Sequence, residues 1–239
     1  MGIAVEVLGR ALESNNDRIR RADPVTANPR PLEQVAWHQR LAAAFPEIRA
    51  EWDAFVDAGG RLPLLDDVLT EDQGTVGVWR AGLLVSDGRP RSPLAHVFPV
   101  TVAVLAGVEG LRSALWSVLG PGSELPEHAG PNAGVLRYHL GVRCGDDAAL
   151  SVGDVVVPYR DGEGVLFDDT APHAAWNRGP ADRVTLFLEV YRPLPQPAAA
   201  LNLGVQKVLG LDHRYRSAPA RAAAWDAALN PRRPGPARI

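Results

Sequence analysis

His128 and His173 lie far apart in the chain, and each heads a cluster of residues equipped for chemistry. The first cluster runs Glu127-His128-Ala129-Gly130-Pro131-Asn132 and leads into Leu136-Arg137-Tyr138-His139-Leu140. The second runs Phe167-Asp168-Asp169-Thr170-Ala171-Pro172-His173-Ala174-Ala175-Trp176-Asn177, and Arg183 opens the next apolar run. Neutral imidazoles suit Fe(II), and two of them leave room for a bidentate co-substrate and for O2. Arg183 begins a β-branched and aromatic stretch, which should draw its guanidinium out of water. A buried guanidinium needs an anion, and a carboxylate matches it with two parallel hydrogen bonds. The set therefore fits a non-haem iron site that also holds a dicarboxylic acid. A third, carboxylate ligand is expected two residues after His128, where this chain has Gly130.

Plainer readings stand beside this one. Arg183 could be half of a structural ion pair with Asp168, Asp169 or Glu189. Asp168 and Asp169 precede His173 in a strand-to-turn segment, a spacing that favours turn formation, or orientation of the histidine through its second nitrogen, over ligation. His38, His96 and His213 have no supporting neighbours and read as surface or satisfied core residues. Cys144 is the sole cysteine, which excludes an intrachain disulfide and a cysteine zinc site, and it reads as a small core residue. No phosphate-binding glycine loop and no GxSxG nucleophile motif occurs.

These residues need a scaffold of short strands. Thr75 to Trp79, Leu111 to Leu119, Val135 to Val142, Asp154 to Val157, Gly164 to Phe167 and Arg183 to Tyr191 are β-type runs divided by Gly, Pro and Asp. Alternation puts Val135, Arg137, His139 and Gly141 on one strand face, with Leu136, Tyr138 and Leu140 on the other. Thr185, Phe187 and Glu189 alternate in the same way with Val184, Leu186 and Leu188. Before the strands, Leu41, Ala44, Phe45, Ile48, Trp52, Phe55 and Val56 keep helical spacing, with Pro46 in a first turn and Gly59-Gly60 as the stop. Met1 to Arg21 reads as an amphipathic helix or a frayed end. Leu201 to Leu209 and Pro219 to Leu229 read as helices, and Asn230 to Ile239 as a loose arm. The expected division is a helical segment over 1–73, a strand core over 74–195 and a helical extension over 196–239. Its fold class is mainly β with flanking helices, a sandwich or barrel closed as a jelly roll.

Hydrophobic residues make up 46% and charged residues 22% of the 239, ordinary values for a globular chain. A net charge of −3 gives no field for a nucleic acid polymer. The longest apolar run, Val97 to Val108, contains Pro99 and is too short to span a membrane, and Ile3 to Leu8 is too short for a signal peptide. A cytoplasmic protein without a membrane partner is expected.

From Phe98-Pro99 to Arg192-Pro193 the chain resembles the aspartyl/asparaginyl β-hydroxylase family of Fe(II)/2-oxoglutarate-dependent oxygenases. The resemblance rests on ordered motifs: Leu119-Gly-Pro-Gly, His128-Ala-Gly-Pro-Asn, Leu136-Arg-Tyr-His-Leu-Gly, Phe167 to Asn177, and Arg183-Val-Thr-Leu followed by Tyr-Arg-Pro. It implies a double-stranded β-helix core, His128 and His173 as iron ligands, and water in place of the missing carboxylate, a gap the family shares. It also implies that Arg183, helped by Ser117, takes the distal carboxylate of 2-oxoglutarate, and that Arg137 and His139 hold its proximal carboxylate or the substrate. The implied reaction consumes O2 and 2-oxoglutarate to hydroxylate an unactivated C–H. Gly130 leaves a halogenase as the alternative, with chloride in the open position; an inactive binding module is the third. The expected substrate is a small molecule or a residue of a biosynthetic peptide. The oligomeric state is not legible.

Overall fold

A computed structural model of the protein describes residues 3–33, 35–69, 74–211 and 213–230. Four helices come first: α1 (Ile3–Ala22), α2 (Ala36–Ala43), α3 (Phe45–Asp57) and α4 (Leu65–Leu69). Strands β1 (Trp79–Ser86) and β2 (Arg89–Pro90) follow, then α5 (Pro99–Leu105). The main strands are β3 (Leu111–Leu119), β4 (Ser123–His128), β5 (Val135–Arg143), β6 (Ala148–Val152), β7 (Val155–Pro158), β8 (Gly164–Phe167), β9 (His173–Asn177) and β10 (Arg183–Tyr191). Helices α6 (Ala198–Leu209) and α7 (His213–Leu229) end the described chain.

The strands form two antiparallel sheets, ordered β2-β1-β3-β10-β5-β8 and β4-β9-β6-β7. Numbered from β3, the first of eight strands pairs with the eighth, the third lies between the eighth and the sixth, and the second pairs with the seventh. This nesting is the double-stranded β-helix, and it bears out the expected jelly-roll class.

The large sheet separates two environments. Ala114, Trp116 and Val118 of β3, Leu136, Tyr138 and Leu140 of β5, and Leu186 and Leu188 of β10 face the helices in one core. Trp52 and Phe55 of α3 meet them there, with the Trp52 and Trp116 ring centroids 4.9 Å apart. The alternate residues face the small sheet across the barrel interior, as the period of two requires.

Several expectations need correction. Thr75 to Trp79 is not a strand. Gly77 sits at φ 94, and a Cβ there would lie 2.3 Å from Ser123 Oγ, so the backbone turns before β1 starts at Trp79. Strand β1 itself, and β4, β6 and β9, carried no strand expectation. The first is a continuous apolar run without alternation, and the others are short and rich in Ser, Pro, Glu or Ala. Val56 is exposed, off the buried Ile48–Trp52–Phe55 stripe of α3. Residues 3–22 form a helix, and α7 starts before Pro219, which lies inside it. Within the expected loose arm, Asn230 is tied at both amide atoms to the Arg61 backbone, each bond 3.0 Å; residues 231–239 lie outside the described residues. Among the described residues no helix is long and apolar enough to cross a membrane.

Asn177, at the end of β9, is buried and donates to the carbonyls of Leu119, Gly120 and Ala181 at 2.8, 3.1 and 2.8 Å. It joins the β9–β10 turn to the end of β3. Asn177→Ala strands these carbonyls in the interior and should cost ~1–3 kcal/mol of stability, measured as the shift of a urea unfolding midpoint.

Candidate functional site

His128 ends β4 and His173 begins β9, and the antiparallel register sets them directly opposite each other. Their ring centroids are 4.1 Å apart. His128 Nδ1 lies 2.9 Å from the Pro126 carbonyl, and His173 Nδ1 lies 2.9 Å from the Ala171 carbonyl. A carbonyl can only accept, so each Nδ1 carries the proton and donates. In the neutral ring this leaves each Nε2 with its lone pair, the tautomer a metal ligand requires. Burial is the largest influence on His173 and lowers its pKa below the ordinary 6.5. A neutral imidazole pair with both free nitrogens available fits a borderline divalent metal. Among the described residues no third His, Cys, Asp or Glu completes a cluster with them.

Arg183 opens β10, is 3% exposed and lines the same cavity as the two histidines. Its guanidinium donates to Thr185 Oγ1 at 3.0 Å and stacks 4.8 Å over the Tyr159 ring, while its Nε has no partner. The carboxylates that could have paired with it are engaged elsewhere. Asp169 and Glu189 take Arg137, and Asp168 takes Arg192. A buried cation without a carboxylate is costly unless an anionic ligand completes it. The structural ion pair considered for Arg183 is therefore absent among the described residues, and the guanidinium stands ready for an acid. Ser117 of β3 lines the cavity too, its hydroxyl accepting from Trp79 Nε1 at 2.9 Å.

Arg137 and His139 share the cavity-facing side of β5. Arg137 is not free: its Nε donates to Asp169 Oδ2 at 2.9 Å, and its other end pairs with Glu189. Arg112 and Ser113 of β3 reach the same Glu189 at 2.8 and 2.7 Å. A neutralised charged strip thus crosses the cavity floor and ends at Asp169. There it meets Gly130: a Cβ on Gly130 would lie 2.4 Å from Asp169 Oδ2. The space a Gly130 side chain would take is filled by a carboxylate from the loop before His173. Asp169 is buried, with Oδ1 unpartnered.

His139 is buried, shares a 2.8 Å hydrogen bond with Tyr159 Oη and leaves Nε2 without a partner. Burial first, then the charges of Arg183, His173 and Arg137, hold its pKa well below 6.5. Burial pushes the Tyr159 phenol up to about 12, so both groups stay neutral. Three unpartnered buried atoms, on His139, Arg183 and Asp169, thus belong to residues lining one cavity, and its contents must satisfy them.

His38 is half-buried and bonded to Tyr138 Oη at 2.8 Å, and burial outweighs Glu33 in lowering its pKa. His96 ends a short 3-10 turn; the side chain of His213 lies outside the described residues. Burial also raises the Cys144 thiol to about 12, consistent with a core role. Three histidines with lowered folded pKa set a stability trend. Below about 6.5 the unfolded chain takes up protons that His38, His139 and His173 refuse when folded, so stability falls with pH there and is level above. Urea midpoints of the metal-free protein should be lower at about pH 5.5 than at about pH 7.5. An equal or higher midpoint at the acid value would contradict this.

The cavity has a volume of about 390 Å³ and continues past the histidine pair. Leu65 and Leu69 of α4, Leu83 of β1, Leu115 of β3 and Ala218 of α7 wall this apolar arm. Trp79, Tyr159, Thr185 and the filling role of Asp169 were not foreseen. For Thr185, its shared face with Glu189 on β10 was a usable signal; for Tyr159, in a loop after β7, there was none.

A family model described as aspartyl/asparaginyl β-hydroxylase matches residues 42–193. An ornithine lipid ester-linked acyl 2-hydroxylase of Rhizobium tropici is 33% identical over 70% of this chain and 61% of its own length. Aspartate beta-hydroxylase domain-containing protein 2 of Homo sapiens is 36% identical over 49% of this chain and 34% of its length. The human aspartyl/asparaginyl beta-hydroxylase is 25% identical over 61% of this chain and 20% of its length. The chain thus spans about three fifths or less of these curated relatives. With the match covering more than half of its residues and the paired histidines inside it, the chain belongs to the aspartyl/asparaginyl β-hydroxylase family.

Proposed function

We propose that this chain is an Fe(II)- and 2-oxoglutarate-dependent hydroxylase of an aliphatic C–H in a small molecule. The observation that carries the reading is the buried Arg183, without a carboxylate, in the same cavity as two histidines whose Nδ1 atoms face carbonyls and whose Nε2 atoms are left for a ligand. When bound, Fe(II) and 2-oxoglutarate supply the means of converting O2 into an oxidant strong enough for an unactivated C–H. His128 and His173 hold the metal through Nε2. Arg183 takes the far carboxylate of the co-substrate, with the Ser117 hydroxyl, fixed by Trp79, beside it. His139 stays neutral and offers Nε2 to the acid or the substrate without adding charge. Arg137, braced by Asp169 and Glu189, forms a rigid polar wall. The apolar arm takes the hydrocarbon part of the substrate and keeps water from it, so that one C–H is aimed at the metal. Hydroxylation of an acyl chain, in the name of the Rhizobium tropici relative, supports an aliphatic target.

Asp169 argues against chloride in the position opened by Gly130. Its carboxylate, paired with Arg137, lies where a Gly130 side chain would begin and takes up the room that the glycine leaves. Hydroxylation is the reading we adopt over halogenation.

The test is succinate release and product mass across a panel of aliphatic acids, amines and acyl conjugates, with Fe(II), 2-oxoglutarate and chloride present. Metal-dependent succinate with a product heavier by one oxygen supports the reading. A panel indistinguishable from a His173→Ala variant, with no metal-dependent 2-oxoglutarate binding by calorimetry, would sink it. A chlorinated product would overturn the choice between the two oxygenase types.

A further inference from the structure

The loops carrying the two histidines leave the sheets and are joined directly at Gly130, whose N–H donates to the Asp169 carbonyl at 2.7 Å. A segment outside the family-matched region holds both. Asn16 of α1 donates to the Pro131 carbonyl at 2.8 Å and accepts from the Ala133 N–H at 3.0 Å, gripping the loop after His128. Asn28 donates to the Asp168 carbonyl at 3.0 Å and accepts from the Asp168 N–H at 2.9 Å, gripping the loop before His173. Each asparagine spends both ends of its amide on main chain, replacing the ladder that these loops lack.

The strap between the two asparagines is itself anchored. Asp23 accepts from Arg192 at 2.6 Å and also pairs with Arg30, whose N–H adds to the edge of β8 at the Leu166 carbonyl, 2.7 Å away. Arg192 spans the two loops, donating to the Ala133 carbonyl at 2.6 Å and pairing with the Asp168 carboxylate. Beside α1, Gln206 of α6 exchanges two 2.9 Å hydrogen bonds with Asn132. Asn202 of α6 donates to the Gly134 carbonyl at 2.9 Å and ties back to Asn15 of α1 at 3.1 Å. Gly134 is required for this approach, since a Cβ there would lie 2.1 Å from Gln206 Nε2.

We propose that Asn16 and Asn28 are positioning residues that set the separation and orientation of His128 and His173 through the backbones of their loops. The inference rests on the reading of these histidines as metal ligands. Metal–ligand distances tolerate about ±0.2 Å, so a two-ligand protein site senses any drift of either loop. With two protein donors, no third side chain absorbs the error.

The test titrates Co(II) into the wild-type 239-residue chain and its Asn16→Ala, Asn28→Ala and Arg20→Ala variants, following calorimetry and the cobalt absorption spectrum. Among the described residues the Arg20 side chain makes only an exposed pair with Asp17 on the same helix, and it serves as the control. Each asparagine variant should bind Co(II) ~10–100-fold more weakly, the cost typical of losing an outer-shell support. Its cobalt spectrum should change while its far-ultraviolet circular dichroism does not; Arg20→Ala should match wild type. Unchanged affinity and spectrum in both variants, even with a lower melting temperature, would show that the strap supplies stability alone and overturn the inference. Should an alanine variant fail to fold, Asn16→Asp and Asn28→Asp keep the shape and acceptor but lose the donor, and the same criterion applies. If wild type binds no Co(II), or His173→Ala binds it equally well, the metal reading itself fails and this inference falls with it.

Discussion

Replacing His173 with alanine is expected to weaken divalent-metal binding by at least ~100-fold and to remove turnover with it. Losing an outer-shell partner of a ligand costs ~10–100-fold in metal affinity, and losing one of two protein ligands must exceed that. The remaining His128 would face the metal alone, because no further side chain completes the cluster among the described residues. Asp169 does not substitute: it forms no metal-ligating group with the two histidines among the described residues, and Arg137 holds its Oδ2. Among the described residues the His173 side chain makes one hydrogen bond, to Ala171, and burial opposes its protonation, so its loss should leave the apo fold intact. Apo stability should also fall less steeply below about pH 6.5 than in wild type. Co(II) calorimetry and succinate release measure the first effect, and urea midpoints the second. Metal affinity within a few-fold of wild type would remove His173 from the site.

Arg183→Gln should show the opposite pattern, with metal binding kept and 2-oxoglutarate binding lost. Truncating one partner of a buried charge pair costs ~2–5 kcal/mol, and ~3 kcal/mol corresponds to somewhat more than 100-fold in affinity. The apo protein should gain stability, because the substitution removes a buried guanidinium that no carboxylate neutralises. A residue serving only the fold would move these quantities the other way. The measurements are 2-oxoglutarate calorimetry at saturating Co(II) and a thermal melt without ligand. A melting temperature well below wild type with 2-oxoglutarate affinity unchanged would assign Arg183 to the scaffold.

Much of the large sheet could be read in advance because its alternation is local. Leu136, Tyr138 and Leu140 went to the helical core, and Arg137 and His139 to the cavity, as the period of two requires. The same rule placed Thr185, Phe187 and Glu189 opposite Val184, Leu186 and Leu188. Strand β1 escaped because a run such as Ala81-Gly82-Leu83-Leu84-Val85, buried on both faces, carries no alternation. The β4 and β9 segments escaped because their pairing partner, and not their composition, makes them strands.

The identity of the chemistry-bearing residues was thus a property of the sequence itself: two histidines suited to a metal, an arginine heading an apolar strand, and a missing carboxylate at Gly130. The tertiary structure decided which charges meet. It gave Glu189 and Asp169 to Arg137, gave Asp168 to Arg192, left Arg183 without a carboxylate, and turned Asp169 into the space beside Gly130. The physical reason is range. Side-chain direction along a strand follows from covalent geometry, whereas ion-pair partners depend on sheet order and register among segments remote in sequence. The Asn16 and Asn28 grips belong to the second kind, since an asparagine amide is chemically alike everywhere and only its placement against a bare loop makes it part of a site.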